Sequence, residues 1–274
     1  VWCLVATFLA VQGTASVLVD RLPEPLRFPE LARSLAGVEA RGRLDLVLLG
    51  SSRSGPVPSE GLAQAVHEAS PLQPPPSVAN LAVGAGDALT SDHVLARLLE
   101  RAAPPRLVVL ELAPEALSAR GIYVKAAIAR SLTWPDIVAS LPGLAQAHAA
   151  SILASTRLIP LYAYRSAFLA WASGQALMEA PAGSIEPGHQ AERAARLGRI
   201  LRSAGPGGLP GTGLERLLAR CRGAGIAVVV LLPPASAPLR AQYTPQVERA
   251  FQDFLASRAP GVPVLDVRAA LPDE

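Results

Sequence analysis

The chain has 274 residues, half of them hydrophobic, with a formal net charge of +3, which suits one large domain or one domain carrying an insertion. Lys125 is the only lysine, and arginines alternate with glutamate on stretches such as AERAARLGRILR. That is the pattern of a solvated helix face, and with no basic tract interleaved with aromatics, nucleic acid is not an expected partner. Cys3 and Cys221 form no CxxC or Cys/His pattern, and His67, His93, His148 and His189 are isolated. Neither a zinc site nor a disulfide framework is indicated.

Residues 1–19, VWCLVATFLAVQGTASVLV, are apolar or small almost throughout and meet charge at Asp20 and Arg21. A bilayer-spanning helix needs about 20 such residues. The stretch reads as the remnant of a transmembrane anchor or signal-anchor, with no initiator Met or basic flank before it; the rival is a buried helix or first strand. An anchor implies a main domain outside the cytoplasm, periplasmic or on the cell surface. Residues 20–43 contain Pro23, Pro25 and Pro29 and read as a juxtamembrane linker followed by a short helix.

From residue 44 to 274, strands and helices alternate. LDLVLLG (44–50) is a continuous apolar run, as in a parallel strand buried on both faces. SEGLAQAVHEA reads as a helix, SVANLAV as a second strand, SDHVLARLLERA as a helix capped by Thr90 or Ser91, and RLVVLEL as a third strand. The adjacent Asp92 and His93 read as a solvated pair, since neighbours on a helix point apart. Residues 121–205 are Ala-rich with Trp134, Tyr162, Tyr164, Phe168 and Trp171, and read as a helical insertion ended by the turn-rich AGPGGLPGTG. The aromatics at 162–171 suit core or membrane-surface packing. LERLLARC then places Leu214, Leu217, Leu218 and Cys221 on one face, with Gly223 or Gly225 as a stop. IAVVVLLP is a fourth strand. TPQVERAFQDFLASRA is a helix capped by Thr244 with Pro245 first, and VPVLDV is a fifth strand. The expected fold is a three-layer α/β domain on a five-stranded parallel sheet of order 2-1-3-4-5, flavodoxin-like, with its site outside the carboxyl ends of the strands.

The first strand stops at Gly50-Ser51-Ser52-Arg53-Ser54. A phosphate cradle fits poorly, because Pro56 and Val57 follow Gly55 where Lys and Ser/Thr are needed. A GxSxG elbow lacks its second glycine, which is Ser54 here. What remains is another kind of strand-to-helix serine turn, or a plain strand exit.

The turn resembles the first motif of the SGNH/GDSL hydrolase superfamily, in the Gly-Ser-Ser variant of membrane-anchored, envelope-associated members. The resemblance implies Ser52 as nucleophile, with Gly50, Ser51 and Arg53 around it. The second family motif resembles NLAVGAG, which implies Asn80, Gly84, Ala85 and Gly86 as oxyanion and binding residues, the oxyanion position falling near Ala85; Ala82 replaces one family glycine. At the third motif, Pro114 and Glu115 stand where the family has asparagine, a loss of an amide donor worth roughly 2.7–4 kcal/mol in the transition state. No Asp-x-x-His follows the fifth strand: neither Asp266 nor Asp273 has a histidine three residues on. The expectation is a chain clipped at both ends, its His–Asp pair lying beyond Glu274. The implied activity is a serine esterase or O-acyltransferase acting on an acylated, chiefly acetylated, cell-envelope carbohydrate, without cofactor. The alternatives are a non-catalytic binding or assembly module of the envelope and a cytosolic α/β domain with a buried first helix.

Overall fold

The computed structural model describes residues 2–21, 28–39, 42–69, 75–84, 86–118, 133–135, 137–138, 156–165, 169, 173 and 189–270. Strands β1 (Leu46–Leu49), β2 (Val78–Asn80), β3 (Leu107–Glu111), β4 (Ala227–Leu232) and β5 (Val264–Asp266) make one sheet in the order β2-β1-β3-β4-β5. Every pairing is parallel, with Val47 between Ala79 and Val108. This is the expected flavodoxin-like topology. All of β1 is buried, as its unbroken apolar run requires, whereas β5 forms an exposed edge.

The helices are α1 (Trp2–Val19), α2 (Pro29–Glu39), α3 (Ser59–Ala69), α4 (Ala88–Arg101), α5 (Pro160–Ala163), α6 (His189–Ala204), α7 (Gly208–Gly223), α8 (Ala237–Arg240) and α9 (Pro245–Arg258). Leu214, Leu217, Leu218 and Cys221 of α7 and Phe251 and Leu255 of α9 enter one core with Leu49, Leu110 and Leu232 from the sheet. Thr244 caps α9 by accepting from the Val247 amide, with Pro245 next in the chain. Phe28, Leu31, Leu35 and Val38 also join that core, so α2 closes the α/β domain.

Three sequence expectations change. Helix α4 starts at Ala88 and its cap is Asp87, whose Oδ1 accepts from the Thr90 amide and hydroxyl at 2.8 and 2.9 Å. Thr90 and Ser91 therefore lie inside the first turn, because the carboxylate of Asp87 takes the free amide first. The turn-rich AGPGGLPGTG is only partly a turn. Gly205, Gly207 and Gly208 supply the positive φ angles, and α7 has begun by Gly208. Asp92 and His93 are not a solvated pair: both are buried, and Arg216 and Arg220 of α7 reach Asp92 at 3.0 and 3.1 Å. The packing of α7 on α4 covers that face.

Cys221 shares this interface. Its burial, and secondarily Asp92, push the thiol up to about 11. In a Cys3→Ala background, Cys221 is therefore expected to resist maleimide in the native protein and react on unfolding, since the thiolate is the reactive form. Thiol counting in buffer and in denaturant checks this.

Much of the expected insertion 121–205, with Phe168 and Trp171, lies outside the described residues. Its two ends meet, however: Ser118 bridges Pro206, and the Gly207 amide donates to the Leu117 carbonyl at 2.7 Å. Helix α1 is apolar and largely exposed, and among the described residues it alone is long and apolar enough to cross a membrane. Such a helix near the N-terminus has the length and composition of a membrane anchor or a signal sequence.

Candidate active site

The strand order reverses between β1 and β3, and a crevice opens outside their carboxyl ends at such a switch point. Leu49 is in register with Leu110. The next residues, Gly50–Ser54 on one strand and Glu111–Glu115 on the other, are therefore brought face to face.

Glu111 organises the serine turn from across the sheet. Its Oε2 accepts from the amides of Ser51 and Ser54, each at 3.1 Å, and from the Ser54 hydroxyl. Its Oε1 accepts from the Ser51 hydroxyl at 2.5 Å. The carboxylate is almost fully buried, so these charge-assisted bonds replace its water. Gly50 lets this happen. A Cβ there would lie 2.6 Å from Glu111 Oε2 and 2.7 Å from its Cβ. The buried strand ends on glycine because a carboxylate folds over that position.

Ser52 stands apart from these contacts. It is exposed, and among the described residues neither its amide nor its hydroxyl joins the hydrogen bonds that hold the turn. The Arg53 amide donates to Ser51 Oγ at 3.2 Å, and its guanidinium pairs with Glu115. Glu115 Oε2 also accepts from the Tyr243 hydroxyl at 2.7 Å. Burial opposes charge on Arg53, but Glu115, Tyr243 and Glu111 outweigh it and hold its pKa above the ordinary value. Burial, then Glu115, pushes the Tyr243 phenol up, so it remains a donor. Arg268 lies over the Tyr243 ring, 5.5 Å from its centroid, and pairs with Glu248 and with Asp266 at 2.8 Å. One polar network thus runs along the carboxyl edge from β1 to β5. Tyr243→Phe removes one hydrogen bond to a buried carboxylate, and is expected to lower stability by about 1.5–3 kcal/mol in urea denaturation.

The loop after β2 packs on the same turn. Asn80 Nδ2 donates to the carbonyls of Ser54 and Val57, each at 2.7 Å, and its Oδ1 accepts from the Ala82 amide at 2.9 Å. The side chain therefore clamps two loops together. The Val83 amide donates to the Gly50 carbonyl at 3.0 Å, and the Gly86 amide turns back to Val83 at 2.7 Å. A side chain at Gly86 would overlap the Gly50 carbonyl. Gly50, Ser51, Ser52, Arg53, Asn80 and Gly86 are thus gathered in one place. Gly84 lies in the same half-buried turn, and Ala85 falls outside the described residues.

Pro114 and Glu115, where the resemblance would set the third motif, form a 3-10 turn (Pro114–Leu117). Pro114 also lines a cleft of about 220 Å³ with Leu201, Arg202, Val247 and Phe251, between that turn, α6 and α9. His67 lies on α3 and His93 on α4. Among the described residues, no group of three His, Cys, Asp or Glu is placed to hold a metal.

Sequence reasoning passed over Glu111 and Tyr243, and met Glu115 only as a departure from a motif. The available signal was Glu111 itself, a charge ending the apolar strand RLVVLEL. No family model matches the chain, and no curated protein matches it as a relative.

Proposed function

We propose that this chain carries an SGNH-like serine esterase or O-acyltransferase domain, anchored in a membrane by residues 1–19 and facing the extracytoplasmic side. Its substrate class is an acylated, chiefly acetylated, carbohydrate of the cell envelope. The observation that carries this reading is Ser52: exposed and uncommitted at the carboxyl end of β1, in a turn braced by Glu111 and by the loop after β2.

In this reading the Ser52 hydroxyl oxygen attacks the ester carbonyl carbon, and the carbonyl oxygen takes the negative charge. The Ser52 amide is the donor of the turn left for that oxyanion, since those of Ser51, Arg53 and Ser54 are engaged. Collapse breaks the carbon–oxygen ester bond. The leaving alcohol takes a proton, and water or an acceptor hydroxyl then removes the acyl group from Ser52. The serine proton goes to a histidine from outside the described residues, without which the hydroxyl is a weak nucleophile. Labelling of the full chain with a fluorophosphonate probe tests the assignment. Loss of label in Ser52→Ala supports it, and label that persists there overturns it.

Glu115 favours a second reading, a non-catalytic binding or assembly module. It stands where the family has a neutral amide donor, and its buried carboxylate is committed to Arg53 and Tyr243. A wild-type chain inert to the probe, yet retarded by O-acetylated oligosaccharide in affinity electrophoresis, would fit that reading.

A further inference from the structure

We propose that residues 156–165, together with Leu169, form a second membrane-contacting element, seated in the lipid interface beside α1. The inference rests on the reading of α1 as a membrane anchor.

Helix α1 has 18 residues, about 27 Å at 1.5 Å per residue, close to the roughly 30 Å hydrocarbon thickness of a bilayer. Its buried residues are Gln12, Ser16 and Val19, a single stripe on its second half. The body of the protein reaches that half: α5 packs on α1, and Arg157 Nη1 contacts the Ser16 carbonyl at 3.4 Å and Asp20 Oδ1 at 2.5 Å. The Trp134 amide donates to Asp20 Oδ2 at 2.9 Å. Gln12 lies roughly 12 Å along the axis from Asp20. A surface covering α1 to that height lies at or below the headgroups whenever α1 spans.

The chemistry of the segment fits that depth. Leu158, Ile159, Leu161, Tyr162 and Leu169 all project outward, with Leu158, Tyr162 and Leu169 each more than 60% exposed. Such a cluster marks an interaction site in a soluble setting, and here it adjoins a helix whose other faces are exposed and apolar, including Phe8, Leu9, Val17 and Leu18. Of the charges at the same level, Arg157 is 3% exposed and paired with Asp20, while Arg21 and Arg165 are exposed and can reach the headgroups. Arg165 stacks on Tyr162, 4.1 Å from its centroid, and donates to the Tyr162 carbonyl at 2.8 Å. Tyrosine and arginine with apolar bodies and polar tips are the side chains of the membrane–water boundary. Lipid is the occupant because it already surrounds the continuous apolar surface of a spanning α1.

The test uses the full chain with Cys3→Ala and one introduced cysteine, Leu161→Cys, Leu169→Cys, Leu9→Cys or Ala256→Cys, carrying an environment-sensitive NBD label, with the buried Cys221 retained and the Cys3→Ala parent taken through the same labelling as the background. The Ala256 position, exposed on α9, is the aqueous reference. The proteins are reconstituted in phosphatidylcholine–phosphatidylglycerol vesicles containing doxyl-labelled lipid, and each variant is required to melt like its parent. Several-fold stronger quenching at 161 and 169 than at 256 is expected. Quenching at 9 with none at 161 and 169 overturns this inference and leaves the anchor reading intact. Quenching at 161 and 169 but not at 9 supports the contact and overturns the anchor reading. Silence at all three overturns both.

Discussion

Ser52→Ala is expected to reduce hydrolysis of an activated acetyl ester by the full chain by at least about 10³-fold, because the nucleophile is the part of a covalent mechanism that binding groups cannot replace. The same substitution is expected to change stability by less than about 0.5 kcal/mol, the usual range for a surface site without special contacts. Ser52 is exposed and outside the hydrogen bonds of its turn. Its neighbours supply the contrast. Ser51 and Ser54 have equally nucleophilic oxygens, but both donate to Glu111. Ser54→Ala should therefore lower stability while leaving the probe reaction at Ser52 in place. Ester turnover and thermal melting of the two variants separate these outcomes. Equal loss of turnover in both, with equal loss of stability, would move the role of Ser52 from chemistry to architecture.

Glu111→Ala is expected to cost about 3 kcal/mol or more, among the largest effects of any single truncation in the domain. The carboxylate satisfies the Ser51 and Ser54 amides and both hydroxyls. Bonds to a charged acceptor contribute about 1.5–3 kcal/mol each, and a buried amide left without a partner costs about 1–3 kcal/mol. For a domain of this size that corresponds to a fall in Tm of roughly 10 °C. Glu111→Gln should cost far less. Both amides converge on Oε2, so a glutamine can set its carbonyl oxygen there and turn its NH2 toward Ser51 Oγ, which also accepts. Denaturant titration of the two variants measures the difference. If glutamine proves as damaging as alanine, the turn depends on the negative charge rather than on the placement of acceptors.

The parts of the fold that were legible have local causes. The stripe Leu214, Leu217, Leu218 and Cys221 repeats at helical spacing and is buried. Thr244 and Pro245 announce a helix start within four residues, and the helix starts there. Strand β1 is apolar at every position because both its faces are covered. Less legible were features settled by a distant segment. Asp92 looks like a surface residue until Arg216 and Arg220 arrive from α7. Gly208–Gly213 has the composition of a turn, yet it forms the start of α7, where Gly213 comes close to the backbone of Leu89. Backbone approach between helices leaves no periodic mark in either of them.

The sequence by itself determined the alternation of strands and helices, the parallel sheet, an apolar helix at the N-terminus and the serine turn after the first strand, because hydrophobic period and turn chemistry are read over a few residues. Tertiary structure alone decided what that turn meets. Ser51 and Glu111 are 60 residues apart in the chain and hydrogen-bonded in the fold. Arg53 and Tyr243 converge on Glu115 from opposite ends of the domain. Placing β1 beside β3 at the switch point puts these groups at one edge of the sheet, and strand adjacency is a property of the packed whole.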